Sequence, residues 1–252
     1  MTASLSKGGK DIIEKIDNIH VTTGRTYTAK NITDYILYII EELKLDINKI
    51  KIGIVGAAGG IGSGVAMSLA KCNLKNFVLI DLERKLSHVS NRILSLEKQA
   101  NDLNIIPGHS LSLLSDCKII VAATNSPEIV IKSEDVNSGT IIINDAQPSD
   151  IDPHIVKDRK DVLVIEGGVL HTPNIDCHFN MGLKHKTDIY SCLAEVILLS
   201  SLQSKGHYSI DEFDEHLYNK LSTTAKSLGF KICMQNDLEL ISNERFNVFR
   251  RI

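Results

Sequence analysis

Apolar residues recur at helical spacing in AKNITDYILYIIEELKL, at Ile32, Ile36, Ile39, Ile40 and Leu43. That spacing predicts a helix over about 29–45. A DIN turn then leads into KIGIVG, a compact apolar run ending in glycine, the form of a strand buried on both faces. The same unit recurs. FVLID (77–81) reads as a second strand, followed by a helix carrying Val89, Ile93, Leu94 and Leu96. KIIVAAT (118–124), TIIIND (140–145) and VLVIEGG (162–168) read as further strands, joined by the turn-rich NSPE, AQPSDIDP and HTPN. Strands rich in Ile and Val alternating with helices predict an α/β fold, a Rossmann-like doubly wound parallel sheet with flanking N- and C-terminal helices. DIYSCLAEVILLSSL (188–202) predicts an apolar helix capped at Thr187 or Asp188, and a second helix over about 210–228 stops at LGF. The remainder, to Ile252, gives no pattern.

These elements divide the chain into a polar, flexible leader (1–20), a helical lead-in (21–49), a dinucleotide-binding domain (50–185) and a C-terminal helical segment expected to pack back on the site (186–252). Composition adds mainly exclusions. An apolar fraction of 43% and a charged fraction of 23% are those of a globular protein with a buried core. A net charge of -3 offers no footprint for nucleic acid. No run of about 18 apolar residues is present to span a membrane, and no apolar stretch of a signal peptide opens the chain. Five scattered cysteines without a C-x-x-C pair fit a reducing, cytoplasmic setting.

The chemistry centres on GAAGGIG (56–62), which follows a strand and opens the helix SGVAMSLAK. In that context Gly56 permits a tight turn, Gly59 admits the pyrophosphate, and Gly62 lets helix and strand pack closely. The amides of Gly60 and Ile61 face the phosphates at the helix start, where the Ser63 hydroxyl can join them. Asp81 ends the second strand, where an acid accepts the ribose hydroxyls and favours NADH. Arg84 and Lys85 lie just beyond it and suit a 2′-phosphate, so NADH and NADPH both remain open. Small residues at the end of the strand read over 118–124, Ala122, Ala123 and Thr124, leave room for the nicotinamide half.

Cys192 falls in the first turn of the helix expected from Asp188. There the helix end and the preceding Lys184, His185 and Lys186 favour a thiolate. The alternative is a core cysteine among Ile189, Leu193 and Val196. A metal reading of His171, Cys177, His178 and His185 is set aside, because structural sites pair their ligands more tightly.

Taken in order, TTGRTYTA (22–29), IVGAAGGIGS (54–63), IIINDAQP (141–148), IEGGV (165–169), YSCLAE (190–195) and SLGF (227–230) make the chain resemble the cyanobacterial long-chain fatty acyl-[acyl-carrier-protein] reductases. The resemblance implies that Cys192 takes an acyl group from a carrier-protein or coenzyme A thioester. NADPH or NADH then reduces it to an aldehyde. It also implies that Glu195 orients or protonates, that Thr22, Thr23, Gly24 and Thr28 lie near the substrate, and that Asp145 and Gly167 line the cofactor side. Only about 20 residues precede the TTG segment here. The acyl-recognition domain would therefore come from a partner subunit or a second copy, or the substrate is smaller. Two other readings stand beside this one. One is an amino-acid, shikimate or imine type NAD(P)-dependent dehydrogenase in which Cys192 is inert. The other is a non-catalytic nucleotide-binding partner subunit.

Overall fold

The computed structural model describes residues 6–98, 102–210, 213–236 and 241–249. The first five residues of the expected leader, the last three of the expected C-terminal segment, Asp211 and Glu212 of the helix read from about 210, and the Leu94 side chain lie outside the described residues. The chain divides into two compact units. One is drawn from Met1–Asn31 and Gly168–Cys233, the other from Ile32–Gly167 and Met234–Ile252.

The second unit is built on a six-stranded parallel sheet: β1 (Lys51–Val55), β2 (Asn76–Ile80), β3 (Asn104–Gly108), β4 (Ile119–Ala122), β5 (Ile141–Asn144) and β6 (Leu163–Glu166). Its strand order is β3-β2-β1-β4-β5-β6, with every neighbouring pair parallel. That order reverses between β1 and β4, which defines a doubly wound sheet with its switch point beside the glycine turn. Every residue of β4, β5 and β6 is buried, as expected of strands covered on both faces. Helix α1 (Arg25–Leu43) lays Ile32, Tyr35, Ile36 and Ile39 against the core, all fully buried. This is the apolar stripe anticipated from the 3.6-residue period. The helix starts four residues earlier than its apolar stripe suggested.

Strand β3 has no counterpart in the sequence reading. Its segment, NIIPG, contains Pro107, which cannot donate to a ladder. The strand is tolerated because it lies at the sheet edge, paired on one side only, with β2. Helices α2 (Gly60–Lys71), α3 (Leu86–Glu97) and α4 (Pro153–Asp158) complete the crossovers, and α7 (Asn243–Val248) closes the chain. Arg245 of α7 donates to the carbonyls of Lys160 and Val162, which ties this last helix to the approach to β6.

The first unit carries a three-stranded antiparallel sheet, β7 (Val169–His171), β8 (Asp188–Tyr190) and β9 (Lys231–Ile232), in the order β8-β7-β9. Helices α5 (Ser191–Ser201) and α6 (Glu215–Ser227) pack beside it, with Leu170, Ile189, Ala194, Leu198, Leu217 and Leu221 in one buried cluster. The helix expected from Asp188 begins three residues later. Asp188, Ile189 and Tyr190 instead pair with His171, Leu170 and Val169, and the fully buried Ile189 shows why strand pairing prevails over helical pattern. Among the described residues no helix is long and apolar enough to cross a membrane.

Candidate functional site

The glycine turn fills the switch point of the second unit. Gly56 and Ala57 both donate to the Ile80 carbonyl, at 2.9 and 3.1 Å, which bends the chain sharply out of β1. Gly56 takes a φ of +88°, and a Cβ there would stand 2.4 Å from the Ala123 carbonyl oxygen. A Cβ on Gly62 would stand 2.5 Å from the Gly56 oxygen, so helix α2 can approach the strand only with glycine at this place. Gly59 caps the helix with no side-chain hydrogen bond to its amides. The first intrahelical bond runs from Ser63 N–H to Gly59, at 2.9 Å. The amides of Gly60, Ile61 and Gly62 therefore form the donor-rich start of the helix. The Ser63 hydroxyl donates to the Gly60 carbonyl at 3.4 Å, and Ser63 is buried.

Asp81 is buried, and its two oxygens accept the N–H groups of Ala58 (2.9 Å) and Leu82 (2.8 Å). Lys85 stands 3.6 Å from the same carboxylate, whereas Arg84 is exposed. The acid thus braces the glycine turn and retains acceptor capacity for further donors. Ala123 donates to the Val55 carbonyl at 2.9 Å. The Thr124 hydroxyl donates to Asp150 at 2.5 Å and accepts from Ser126 N–H at 3.1 Å. Asp150 is fully buried. Its second oxygen has no partner among the described residues, and its carboxyl is raised by burial, an effect that the Thr124 bond opposes.

Asp145 follows β5, with its N–H on the Ala122 carbonyl at 2.8 Å. Burial, and then the like charges of Glu166 and Asp150, push its carboxyl up to about 8. Gly167 donates to the Asn144 carbonyl at 2.7 Å. Every residue expected on the cofactor side therefore lies in the second unit, at or just beyond the carboxyl ends of β1, β2, β4, β5 and β6. Sequence reading missed Asp150 and Glu166, because the hydroxyl and amide that reveal them, on Thr124 and Asn144, are distant in the chain.

The residues expected to serve substrate and catalysis fall in the first unit. Glu195, on α5, is fully buried and accepts from the Thr22 hydroxyl, from Tyr27 N–H (2.7 Å) and from the Ser209 hydroxyl (2.6 Å). Burial raises its carboxyl, and these donors hold it down in part. Thr23 donates to the Ser209 carbonyl (2.5 Å) and Thr28 to the Gly24 carbonyl (2.8 Å). Of these hydroxyls, that of Thr22 ties the TTG segment to α5, that of Thr23 ties it to Ser209, and that of Thr28 bonds within the segment. Gly24 takes a φ of +75°, and a Cβ on it would stand 2.4 Å from the Cα and Cβ of Cys192. Cys192 itself is exposed, the second residue of α5. Lys184, His185 and Lys186, expected to act on that thiol, line a cavity together with Asp176, Phe179 and Asp188. Among the described residues no three His, Cys, Asp or Glu side chains converge as metal ligands.

Comparison with known proteins gives the following. A family model described as shikimate / quinate 5-dehydrogenase matches residues 39–166, just over half the chain. Aminotransferase PigE of Serratia sp. is 25% identical over 216 residues, which cover 84% of this chain and 25% of that protein. The chain thus spans a quarter of the length of this curated relative. A dipicolinate synthase chain from Bacillus halodurans is 16% identical, with a TM-score of 0.44 over 57% of this chain and 47% of that one. Shikimate 5-dehydrogenase from Listeria monocytogenes, solved with shikimate and NAD, is 13% identical, with a TM-score of 0.42 over 54% and 52%.

The family match overturns the likeness to acyl-[acyl-carrier-protein] reductases, and with it the thioester mechanism through Cys192 and the carrier-protein or coenzyme A substrate. The physical reason lies in the motifs. GAAGGIGS is required by the close approach of Gly56 and Gly62. TTGRTYTA and YSCLAE are joined by Glu195 and by the contact of Gly24 with Cys192. Packing accounts for each without acyl chemistry.

Two measurements check this geometry. Glu195→Ala leaves three donors without their acceptor, at about 1–3 kcal/mol each. Urea unfolding is expected to show a loss of several kcal/mol for Glu195→Ala and a smaller one for Glu195→Gln. An Ala variant as stable as the parent would contradict the lock. For Asp145, the folded protein holds a proton that the unfolded chain releases between the usual carboxylate range and about 8. The difference in stability between the parent and Asp145→Asn is therefore expected to move against the parent as pH rises from 4 to 8, and to stay flat if the carboxyl titrates normally.

Proposed function

The chain belongs to the shikimate/quinate 5-dehydrogenase family, and on that footing we propose that it is an NAD(P)H-dependent oxidoreductase that interconverts a small hydroxy or amino acid and its oxo or imino form. The observation that carries the reading is the turn at Gly56–Gly62. A side chain at Gly56 or Gly62 would strike backbone oxygen, and the uncapped start of α2 beyond them is the form that receives a pyrophosphate. When bound, the nicotinamide nucleotide supplies or takes up hydride. Gly60, Ile61 and Gly62 offer amides to its phosphates and Ser63 lies beside them. Asp81 accepts from the adenosine ribose. Ala123, Thr124, Asp145 and Gly167 border the remaining half.

The chain favours NADH. Asp81 is held by two backbone N–H groups, so it cannot swing away from a 2′-phosphate, and the nearby cation Lys85 is already paired with it. Arg84 is exposed and adds a weaker pull towards NADPH. Cys192 has no covalent part in this reaction, and Glu195 positions the TTG segment. The lock that Glu195 forms with Thr22 and Tyr27 supports this division of roles.

Fluorescence titration of the full chain tests the reading. NADH is expected to bind at least about tenfold more tightly than NADPH, a difference of about 1.4 kcal/mol. Asp81→Ala should narrow that ratio, and Gly62→Val should abolish binding of both. Failure of the parent to bind either nucleotide would overturn the proposal. A preference for NADPH would overturn the role given to Asp81.

A further inference from the structure

The cavity of the first unit holds about 430 Å³, within the range of small-molecule sites. It is lined by the 176–188 segment, with the apolar Phe179, Met181 and Leu183 and the polar Lys184, His185 and Lys186 among its residues. Two acids also line it, and both are already engaged. Asp176 accepts from the His178 backbone N–H at 2.8 Å and lies 3.7 Å from the His178 ring. Asp188 has a fully buried carboxylate. One of its oxygens lies 3.0 Å from His171 Nδ1, and the other accepts from the Cys233 thiol at 3.8 Å.

The strand register makes this arrangement rigid. His171 on β7 stands directly opposite Asp188 on β8. The Thr172 hydroxyl and N–H both bond the Thr187 carbonyl at 2.8 Å, which fixes the start of β8 just before Asp188. The Cys233 thiol is pushed up to about 12, first by burial and then by Asp188, so it remains a neutral donor. Both lining acids thus already have hydrogen-bond partners of their own within the protein. Lys186, in contrast, has no partner among the described residues. Phe179 is 76% exposed, a large ring left in water at the cavity wall. A cavity whose acids are already hydrogen-bonded, with an unpartnered cation and apolar side chains in its lining, suits an anion with an apolar or ring body.

We infer that this cavity is a binding site for a small carboxylic acid, whose carboxylate pairs with Lys186 and whose carbon body lies against Phe179, Met181 and Leu183. Asp188 stays engaged with His171 and Cys233. Acid binding here does not depend on nucleotide binding, and its test is separate from the titration of NADH.

The test uses the full chain and four probes, benzoate, shikimate, succinate and the uncharged benzamide, in ligand-observed NMR and calorimetric titration. At least one carboxylate is expected to bind with a Kd of about 10 mM or better, and benzamide about tenfold more weakly than benzoate. Lys186→Gln should weaken carboxylate binding by about fivefold or more. Its affinity for NADH should stay unchanged. Asp176→Asn, which removes a negative charge from the wall, should bind carboxylates no more weakly than the parent. The inference is overturned if no carboxylate binds, if benzamide matches benzoate, or if Lys186→Gln binds the acids as the parent does. Loss of NADH binding with the carboxylate result intact would count against the dehydrogenase reading alone.

Discussion

The nucleotide half of the molecule depends on one bend, the turn in which Gly56 and Ala57 share the Ile80 carbonyl. β1 lies inside the sheet between β2 and β4, almost wholly buried, and the chain must leave it without passing through Ala123. A left-handed residue with no Cβ is the solution that sterics allow. Once that bend is made, Gly62 can rest against Gly56 and helix α2 can start close to the strand ends. Asp81 stabilises the same turn from the neighbouring strand through Ala58.

A different constraint governs the other unit. There a carboxylate, Glu195, is removed from water and must be compensated by donors. The TTG segment supplies Thr22 and the Tyr27 amide, and Ser209 completes the set. Gly24 is the companion of this arrangement, because its backbone passes so close to Cys192 that no side chain fits. Cys192 is therefore a packing neighbour of a tight loop. The same economy is seen at Asp188, which is satisfied by His171 and Cys233 beside the cavity.

What could be read from the chain follows how local each cause is. The stripe on α1 and the apolar runs of β1, β2 and β4 to β6 are properties of short windows, and they were legible. The glycine turn and Asp81 were legible too, since strand, turn, helix and acid succeed one another. Strand β3 was hidden by Pro107, whose acceptability depends on an edge position that only the assembled sheet defines. Asp188–Tyr190 looked helical because it continues an apolar run, and only its pairing with Val169–His171 makes it a strand. Partners far apart in sequence, such as Thr124 with Asp150, Thr22 with Glu195 and His171 with Asp188, left no local signal. The reading of Cys192 failed for a related reason. A helix end beside cations describes many cysteines, and the motifs around it are those that close packing demands.

If the start of α2 receives the phosphates of a nicotinamide nucleotide, the backbone amides there must sense the ligand directly. The most direct test is a titration of the isotope-labelled full chain with NADH, following backbone amide signals. The N–H signals of Gly60, Ile61 and Gly62 are predicted to move in a saturable way, together with that of Ala58. Saturable binding that leaves these four signals in place would contradict the assignment of the phosphates to this helix.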